Sequence, residues 1–278
     1  MSAGEKRGKQ GKIGIFDSGF GGLHTLRGIR TRLPTYDYLY LGDSARAPYG
    51  PRTADEIRTF SIEALEFLFA HGCELVIFAC NTASSDALHS IQETYLPQHF
   101  PDKKVLGVLI PLSEEAVAVT MNKRIGIIAT EGTVGSGAFV REIHKLDPSI
   151  EVFQQAAPKL VPLIEVGTND SPEMQSALLE YLEPLMKESI DTLILGCTHY
   201  GFAIDAIRDV VGTEIKVVSE SHAVPSKLVE YLERHRDLDA RLARAGTVEF
   251  FTTGEVERFN SIGSVFLGQP LKSERVVL

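Results

Sequence analysis

Two short segments of the chain each carry a cysteine directly after an apolar run. The first, VIFACNTASS, spans residues 76–85, and the second, LILGCTHYGF, spans residues 193–202. Small or polar side chains follow Cys80 and Cys197, so each cysteine stands where a strand ends and a helix can begin. Helical N–H groups at such a point stabilise a thiolate and lower the pKa of a cysteine from about 8.5. The segments therefore predict two reactive thiols.

A cysteine at the end of a strand is more often a small buried apolar residue than a reactive one. That interpretation suits Cys73, the third cysteine, which lacks a comparable context. It is weaker for two cysteines at matched positions, each followed by groups that can hold a carboxylate through N–H groups and side chains. These neighbours are Asn81, Thr82, Thr198 and His199.

Two thiols could act in three ways. A redox pair usually has a C-x-x-C spacing, which the chain lacks. Zinc ligation together with His199 would lack the paired short spacings of structural zinc sites. Two acid–base groups on opposite faces of one carbon explain the duplication best. One thiolate would remove a proton from an α-carbon and the opposite thiol would return one to the other face, without a cofactor but with electrostatic support for the carbanion.

The elements that would position these thiols alternate between strands and helices. Most strand candidates are continuous apolar runs, as in parallel sheets covered by helices on both faces. This alternation predicts an α/β fold with doubly wound parallel sheets. The strand candidates are residues 13–16, 38–41, 75–79, 105–109, 125–129, 151–154, 192–195, 215–218 and 248–251.

Several helix ends can be predicted from capping residues. Thr53 and Glu56 form a capping box, and Gly72 stands where the helix that follows them should stop. Ser171 and Pro172 open a later helix as its cap and first residue. Pro184 should kink that helix or end it early.

The chain also carries an internal repeat. IGIFDSGFGG begins at Ile13 and IGIIATEGTVGSG begins at Ile125, a separation of 112 residues (125 − 13). The two cysteines are separated by 117 residues (197 − 80). Two resemblances at nearly the same separation indicate a duplicated α/β unit. Two such units facing each other would bring Cys80 and Cys197 to opposite walls of one cleft, at the carboxyl ends of the strands.

Two further segments belong to the predicted rim of this cleft. The loop DSGFGG (17–22) allows close backbone approach to an anion, although a tight strand–helix turn would use the same residues. Asp17, an acid at a strand end beside Cys80, could orient or polarise that thiol. The turn-rich segment GDSARAPYG (42–50) adds Tyr49, with a solvated loop as the alternative.

Composition limits the function classes. The chain has 278 residues, 44% hydrophobic and 23% charged, with a net charge of −9, which argues against a broad nucleic-acid or anionic-membrane surface. Three cysteines are too few for a disulfide scaffold and suit a reducing cytoplasm. The apolar runs are far shorter than the roughly 20 residues needed to span a bilayer. We expect a soluble cytoplasmic protein whose residues 1–11 form a disordered tail or a cloning remnant.

Six segments resemble, in order, the motifs of the glutamate racemases, within the aspartate/glutamate racemase superfamily. They are IGIFDSGFGG, YLGDSARAPYG, VIFACNTAS, IGIIAT, LVPLIEVG and DTLILGCTHY. The resemblance implies a cofactor-independent enzyme that supplies D-glutamate for peptidoglycan, and it allows a homodimer. It also implies two similar α/β domains with the active site in the cleft between them: residues 12–104 plus 213–278, and residues 105–212.

Carried over position by position, the resemblance also implies roles for individual residues. Cys80 and Cys197 would be the catalytic acid–base pair. Asp17 would assist the first cysteine, and Glu165 and His199 the second; no metal is implied. The implied substrate contacts are the pairs Asp17 and Ser18, Tyr49 and Gly50, Asn81 and Thr82, and Thr198 and His199.

The chain departs from the family pattern at four places. Gly201 stands where proline is usual, and VVSESHAV (217–224) replaces a strand ending in Asp-Ser. Leu112 stands where glycine is common, and Ala157 where many members carry cysteine. These changes leave the thiol pair intact and bear on substrate choice and regulation. Two alternatives to glutamate racemisation therefore stay open: a racemase or isomerase of aspartate or another small carboxylate, and a catalytically silent protein that binds small anions.

Overall fold

The computed structural model describes residues 11–169 and 171–278. Most of the predicted N-terminal tail, residues 1–10, lies outside the described residues. The prediction is wrong at Gly11, which is buried and forms a β-bridge with Leu242. Its N–H donates to the carbonyl of Arg241 at 2.7 Å, so this residue belongs to the folded part of the chain.

The described strands form two sheets in which every pairing is parallel. The first sheet has six strands in the order β10-β9-β2-β1-β3-β4, and the second has four in the order β6-β5-β7-β8. This confirms the predicted α/β class with two parallel sheets. The strands are β1 Lys12–Asp17, β2 Tyr38–Gly42, β3 Cys73–Phe78, β4 Lys104–Gly107, β5 Arg124–Ala129, β6 Glu151–Ala156, β7 Thr192–Gly196, β8 Lys216–Val218, β9 Val248–Thr252 and β10 Ser273–Arg275.

Helices connect the strands and cover both faces of the sheets. A π-helical turn, Ile91–Tyr95, and a 3-10 helix, Thr198–Ala203, interrupt the series. No described helix is both long enough and apolar enough to cross a membrane. The α-helices are α1 Gly22–Arg32, α2 Ala54–Ala70, α3 Asn81–Asp86, α4 Leu88–Ser90, α5 Leu96–His99, α6 Leu109–Val119, α7 Glu131–Ser136, α8 Ala138–Leu146, α9 Leu160–Glu165, α10 Pro172–Lys187, α11 Ile204–Val211, α12 Glu220–Arg234, α13 Arg236–Asp239 and α14 Val256–Leu267.

The internal repeat corresponds to a repeated strand order. The order β6-β5-β7-β8 in the second sheet repeats the order β2-β1-β3-β4 in the first, with β5 in the place of β1, β6 of β2, β7 of β3 and β8 of β4. In each unit the second strand pairs on one side of the first strand, and the third strand pairs on its other side. The strand order therefore reverses between β1 and β3 and between β5 and β7, and each reversal is a switch point. Ligands of open α/β sheets bind at such points. Cys80 follows β3 and Cys197 follows β7, so each thiol lies at a switch point.

Strand pairing also shows where the chain passes from one sheet to the other. β4 pairs with β3 in the first sheet, and β8 pairs with β7 in the second. The crossovers therefore follow Gly107 and Val218, a few residues beyond the predicted boundaries 104/105 and 212/213. The division of these segments into two folding domains stays a prediction.

The predicted strands agree with the described ones apart from two details. The candidate 105–109 ends early, because β3 stops at Phe78, opposite Gly107, and leaves Val108 and Leu109 without a pairing partner; α6 begins there instead. The three-residue edge strand β10 was not predicted, since it is partly exposed and lacks an apolar run.

The predicted helix ends are confirmed with one exception. Thr53 and Glu56 form both hydrogen bonds of a capping box, and Ser171 accepts the N–H of Met174. Of the two outcomes expected at Pro184, an early end of the helix is wrong, because α10 continues to Lys187; a kink stays a prediction. Pro184 and Glu180, whose carbonyl loses its helical partner, are both exposed, so that water can hydrate the carbonyl.

Gly201, one of the departures from the family pattern, makes room for a buried histidine. A Cβ at this position would lie 2.3 Å from Nδ1 of His24 on α1. The His24 ring packs against Phe202, with the ring centroids 4.9 Å apart, and burial lowers the pKa of His24 to about 4, with Arg27 adding to the effect. The imidazole is therefore a neutral packing group that requires glycine opposite it.

This contact predicts that Gly201→Ala destabilises the protein. We expect a loss of about 1–3 kcal/mol in the free energy of unfolding, because the added methyl group would force the buried His24 ring out of its packing against Phe202. Denaturant melts measure the loss. Gly135→Ala is the matched control, since a Cβ there meets nothing within 4 Å. If His24→Ala does not reduce the cost of Gly201→Ala, the contact is not its cause.

Candidate active site

A cavity of about 450 Å³ lies where the carboxyl ends of the two sheets meet. We call this cavity the cleft. Both Cys80 and Cys197 line it, and each side chain is almost completely buried. The fully buried Asp17 lies behind the wall. Every other residue expected at the site also lines the cleft: Ser18, Tyr49, Gly50, Asn81, Thr82, Glu165, Thr198 and His199.

Cys80 is the N-cap of α3. Its Sγ accepts the N–H of Ala83 at 3.5 Å and donates to Oγ of Ser18 at 3.5 Å. Burial and the nearby Asp17 carboxylate nevertheless raise the pKa of Cys80 to about 11. The expectation that the helix N-terminus lowers this pKa below its ordinary value is wrong, because desolvation outweighs the hydrogen bonds.

Cys197 stands at the end of β7, before the 3-10 helix. The N–H of His199 stabilises its thiolate, but burial raises the pKa of Cys197 well above its ordinary value. The negative charges of Glu220, Cys80 and Asp17 act in the same direction. The predicted lowering of the pKa is therefore wrong for this cysteine too. At neutral pH both thiols carry their protons in this structure.

Asp17 links the two sheets beneath the cleft. Its Oδ2 accepts the N–H of Gly19 at 2.9 Å, and its Oδ1 accepts the hydroxyl of Thr198, from the other unit, at 3.3 Å. Burial raises the pKa of Asp17, while the charge of His199 and these hydrogen bonds oppose the rise. This carboxyl group is placed to influence Cys80 through its charge and the glycine loop through its hydrogen bonds.

The glycine loop after β1 contacts the opposite unit directly. A Cβ on Gly21 would lie 2.2 Å from Oγ1 of Thr198 and 2.7 Å from Nδ1 of His199. Glycine is required here because the segment that follows Cys197 packs against the loop backbone. DSGFGG is the tight turn between β1 and α1, and its backbone closely approaches the facing protein segment. Close approach to an anion stays a prediction.

Glu165 and His199 form the second predicted pair. His199 Nε2 lies 3.2 Å from Oε1 of Glu165, and Nη2 of Arg258 donates to its Oε2 at 3.0 Å. Burial alone would raise the pKa of Glu165, but the hydrogen bond and charge of His199 and the charge of Arg258 outweigh it and lower the pKa. Glu165 is therefore a carboxylate at neutral pH. The contribution of Arg258, which comes from α14, was not predicted because no sequence motif marks it.

The Tyr49 hydroxyl donates its hydrogen bond to a buried carboxylate. It donates to Oδ2 of Asp43 at 2.5 Å, and Thr253 donates to Oδ1 of the same carboxylate at 2.7 Å. Tyr49 can therefore offer a ligand its ring, its backbone or a hydroxyl lone pair, but no O–H proton. Asp43 was not predicted as a site residue. It directly follows Gly42, the residue of β2 that pairs with Asp17 at the end of β1.

Asn81 and Thr82 each contact a residue from a distant segment of the chain. Oγ1 of Thr82 lies 3.0 Å from Oγ1 of Thr130, which follows β5. Nδ2 of Asn81 donates to Oε1 of Glu220 at 2.5 Å. The sequence did not predict Glu220 as a site residue, because its segment, 217–224, departs from the family pattern and gives no motif to match.

The chain is similar to known proteins over most of its length. Residues 23–223 match the model of the family described as Asp/Glu/Hydantoin racemase. A protein named glutamate racemase from Desulforudis audaxviator is 38% identical over 265 residues, covering 94% of this chain and 95% of the relative. The chain belongs to the Asp/Glu/hydantoin racemase family.

Solved structures of the racemase family share the whole architecture. A glutamate racemase isoform from Bacillus anthracis matches with a TM-score of 0.89 and 34% identity, covering 98% of this chain and 99% of that one. The glutamate racemase from Francisella tularensis, solved in complex with D-glutamate, matches with a TM-score of 0.86 and 30% identity over 97% and 98% of the two chains.

The remaining departures from the racemase pattern lie in the core. Leu112 and Ala157 are fully buried, and the hydroxyl of Tyr200 donates to the carbonyl of Ala157 at 2.9 Å. Neither side chain lines the cleft. Within residues 11–169 and 171–278, no three His, Cys, Asp or Glu side chains group as a metal site; independence of a metal or cofactor stays a prediction.

Proposed function

We propose that this member of the racemase family interconverts L- and D-glutamate, with Cys80 and Cys197 as its two acid–base groups. The observation that carries the proposal is that both thiols line one cavity at the switch points of the two sheets. The names of the relatives support glutamate as the substrate. The product D-glutamate would serve peptidoglycan synthesis, as the family resemblance implies.

The proposed reaction needs no proton-transfer group beyond the two sulfurs. One thiolate takes the α-proton, and the electron pair of the C–H bond stays on carbon, delocalised into the carboxylate. The opposite thiol then gives its proton to the other face and becomes a thiolate. The stereocentre is inverted and the protonation states of the two sulfurs are exchanged. Starting from the other enantiomer, the same steps run in reverse.

The raised thiol pKa values define what the substrate must supply. A protonated thiol cannot act as the base, so binding must favour the thiolate. An α-ammonium group seated close to Cys80 would do so, because an opposite charge favours the ionised form. Asp17, which lies behind that wall, would attract the ammonium group through its charge. On the other side, the contact between Oε1 of Glu165 and Nε2 of His199 would orient the segment that carries Cys197.

The polar lining suits a small dicarboxylate. The hydroxyl groups of Ser18 and Thr82 and the amide of Asn81 are hydrogen-bond donors around the cleft. Arg258 adds a cation at the side of the cleft occupied by Glu165. Two carboxylates and one ammonium can each be matched by groups of this kind.

Exchange with solvent tests the proposed function directly. Incubation of the protein with L-glutamate in deuterated water should place deuterium on the α-carbon while optical rotation falls towards zero, both followed by NMR and circular dichroism. Rates should then be compared for both enantiomers of glutamate and of aspartate. A clear preference for aspartate would overturn the substrate. Absence of label with every amino acid tried would instead favour a silent anion-binding protein.

Location and assembly are part of the same proposal. We infer a cytoplasmic enzyme from its three free thiols, since reduced cysteines persist in reducing compartments. A homodimer is consistent with the family resemblance, and light scattering of the purified protein measures it. The composition argues against nucleic-acid and membrane partners, which leaves glutamate as the proposed partner.

A further inference from the structure

Glu220 is a buried acid that the proposed reaction does not use. It is the first residue of α12, and its side chain is completely buried. Its Oε1 accepts the amide N–H of Asn81 at 2.5 Å. Asn81 follows Cys80 directly and lines the cleft. Glu220 therefore lies one hydrogen bond away from the cleft wall.

The pair of Glu220 and Asn81 leaves two oxygens unaccounted for. Oε2 of Glu220 and Oδ1 of Asn81 are buried and have no hydrogen-bond partner among the described residues. Both are acceptors if Glu220 is ionised, so neither can satisfy the other. Unpartnered acceptors of this kind cost free energy when they are buried, because they have lost their hydrogen bonds to water. One proton on the carboxyl group would remove both costs, because the acid O–H can donate to the amide oxygen.

No cation among the described residues pairs with Glu220 to stabilise its ionised form. α12 packs against α1, α6, α13 and the 3-10 helix. In the described chain none of the groups on these elements forms an ion pair or hydrogen bond with Glu220, and the nearby charge of Asp17 is negative. The titratable and charged groups on those elements are His24, Arg27, Arg30, Arg32, Glu114, Glu115, Arg236, Asp237, Asp239, His199 and Tyr200, and those on α12 itself are His222, Lys227, Glu230, Tyr231, Glu233 and Arg234.

We propose that Glu220 is a positioning residue that holds a proton and pairs with Asn81 through two hydrogen bonds. Asn81 Nδ2 donates to Glu220 Oε1, and protonated Glu220 Oε2 donates to Asn81 Oδ1. Burial raises the pKa of Glu220 to about 7, with Asp17 adding to the rise and the N–H of Glu220 and the Asn81 amide opposing it. A carboxyl group with that pKa retains much of its proton at neutral pH.

This pair has a consequence for the cleft. Two hydrogen bonds fix the plane of the Asn81 amide, whereas one would let it rotate. The second hydrogen on Nδ2 is then held in one direction, as a donor for a carboxylate of the bound amino acid. A neutral Glu220 also places no negative charge near Cys197, so it does not oppose formation of the Cys197 thiolate. This part of the inference rests on the proposed racemase function.

Thermal melts test the proton without using activity. The pKa of Glu220 is about 7 in the folded protein against an ordinary 4.5, so the folded state binds the proton more tightly. The contribution of Glu220 to stability is therefore fully present below pH 4.5 and is lost as pH rises towards 7. Glu220→Gln keeps both hydrogen bonds and cannot ionise. The Tm of Glu220→Gln minus that of wild type should grow by on the order of 5 °C between acidic and mildly alkaline pH.

The kinetic arm compares Gln with Met at position 220. Glu220→Gln should keep the KM for glutamate within about threefold of wild type, whereas Glu220→Met, which leaves the amide unpartnered, should raise it about tenfold with a smaller change in kcat. Glu230→Gln, on the exposed face of α12, is the control and should match wild type in both arms.

Each outcome decides the inference. The inference is overturned if the Tm difference between Glu220→Gln and wild type does not change with pH. It is also overturned if the KM of Glu220→Gln equals the KM of Glu220→Met. If Glu220→Met fails to fold, the melts of wild type and Glu220→Gln still give the answer. If wild type does not racemise any amino acid, the proposed function fails, while the melts continue to test the paired proton.

Discussion

Cys197→Ser and Cys80→Ser each abolish net racemisation in our expectation, with kcat lower by about 10³-fold or more. A serine hydroxyl is a far weaker acid than a thiol, so the variant lacks one of the two proton-transfer groups, each of which typically contributes 10²–10⁴-fold. The remaining thiol can still remove a proton from one enantiomer and return deuterium to the same face. We therefore expect each variant to label one enantiomer only, and the two variants to label opposite ones.

Measurement of α-deuterium by NMR, started separately from L- and D-glutamate, checks this result. Cys73→Ala is the matched control: Cys73 is fully buried in β3, away from the cleft, and its loss should affect stability more than turnover. Two observations would contradict the assignment of the two thiols. One is full activity in either serine variant; the other is labelling of both enantiomers by the same variant.

Asp17→Ala should have the next largest effect, a fall of about 10²-fold or more in kcat/KM for glutamate. The carboxyl group accepts the N–H of Gly19 and the hydroxyl of Thr198, and both donors would be left buried without partners. The loop that carries Ser18 would lose its tie to the facing unit, and Cys80 would lose its charged neighbour. Positioning of this kind is worth several orders of magnitude in rate.

Steady-state kinetics with both enantiomers measure this loss, and a melt of the same preparation separates it from unfolding. Asp205→Ala is the control, since its side chain is 93% exposed and lies outside the cleft. If folded Asp17→Ala retains wild-type kcat/KM in both directions, Asp17 has no part in the reaction.

The repeat in the sequence predicted the relation between the two sheets and the position of both thiols. Continuous apolar runs located nine strands, because parallel strands covered on both faces need apolar side chains throughout. The separation of the repeats then placed Cys80 and Cys197 at equivalent strand ends. These inferences succeeded because each depends on local patterns or on a comparison of the chain with itself.

What the sequence could not show are contacts between distant segments. Arg258 reaches Glu165 from a helix 93 positions away, and Glu220 reaches Asn81 across 139 positions. Neither pairing leaves a local pattern. The direction of the thiol pKa shifts was also missed, since it depends on how deeply the finished fold buries each sulfur, and burial outweighed the local effect of the helix ends.

The two sheets differ in how they can form during synthesis on the ribosome. The strands of the four-stranded sheet all lie between Arg124 and Val218, so they can pair before the C-terminal segment is translated. The six-stranded sheet needs β9, whose Val248 pairs with Tyr38, and closing so long a loop is slow. Arg258 emerges later still. We therefore expect the half that carries Cys197 to fold first and the cleft to mature only after β9 and α14 have left the ribosome.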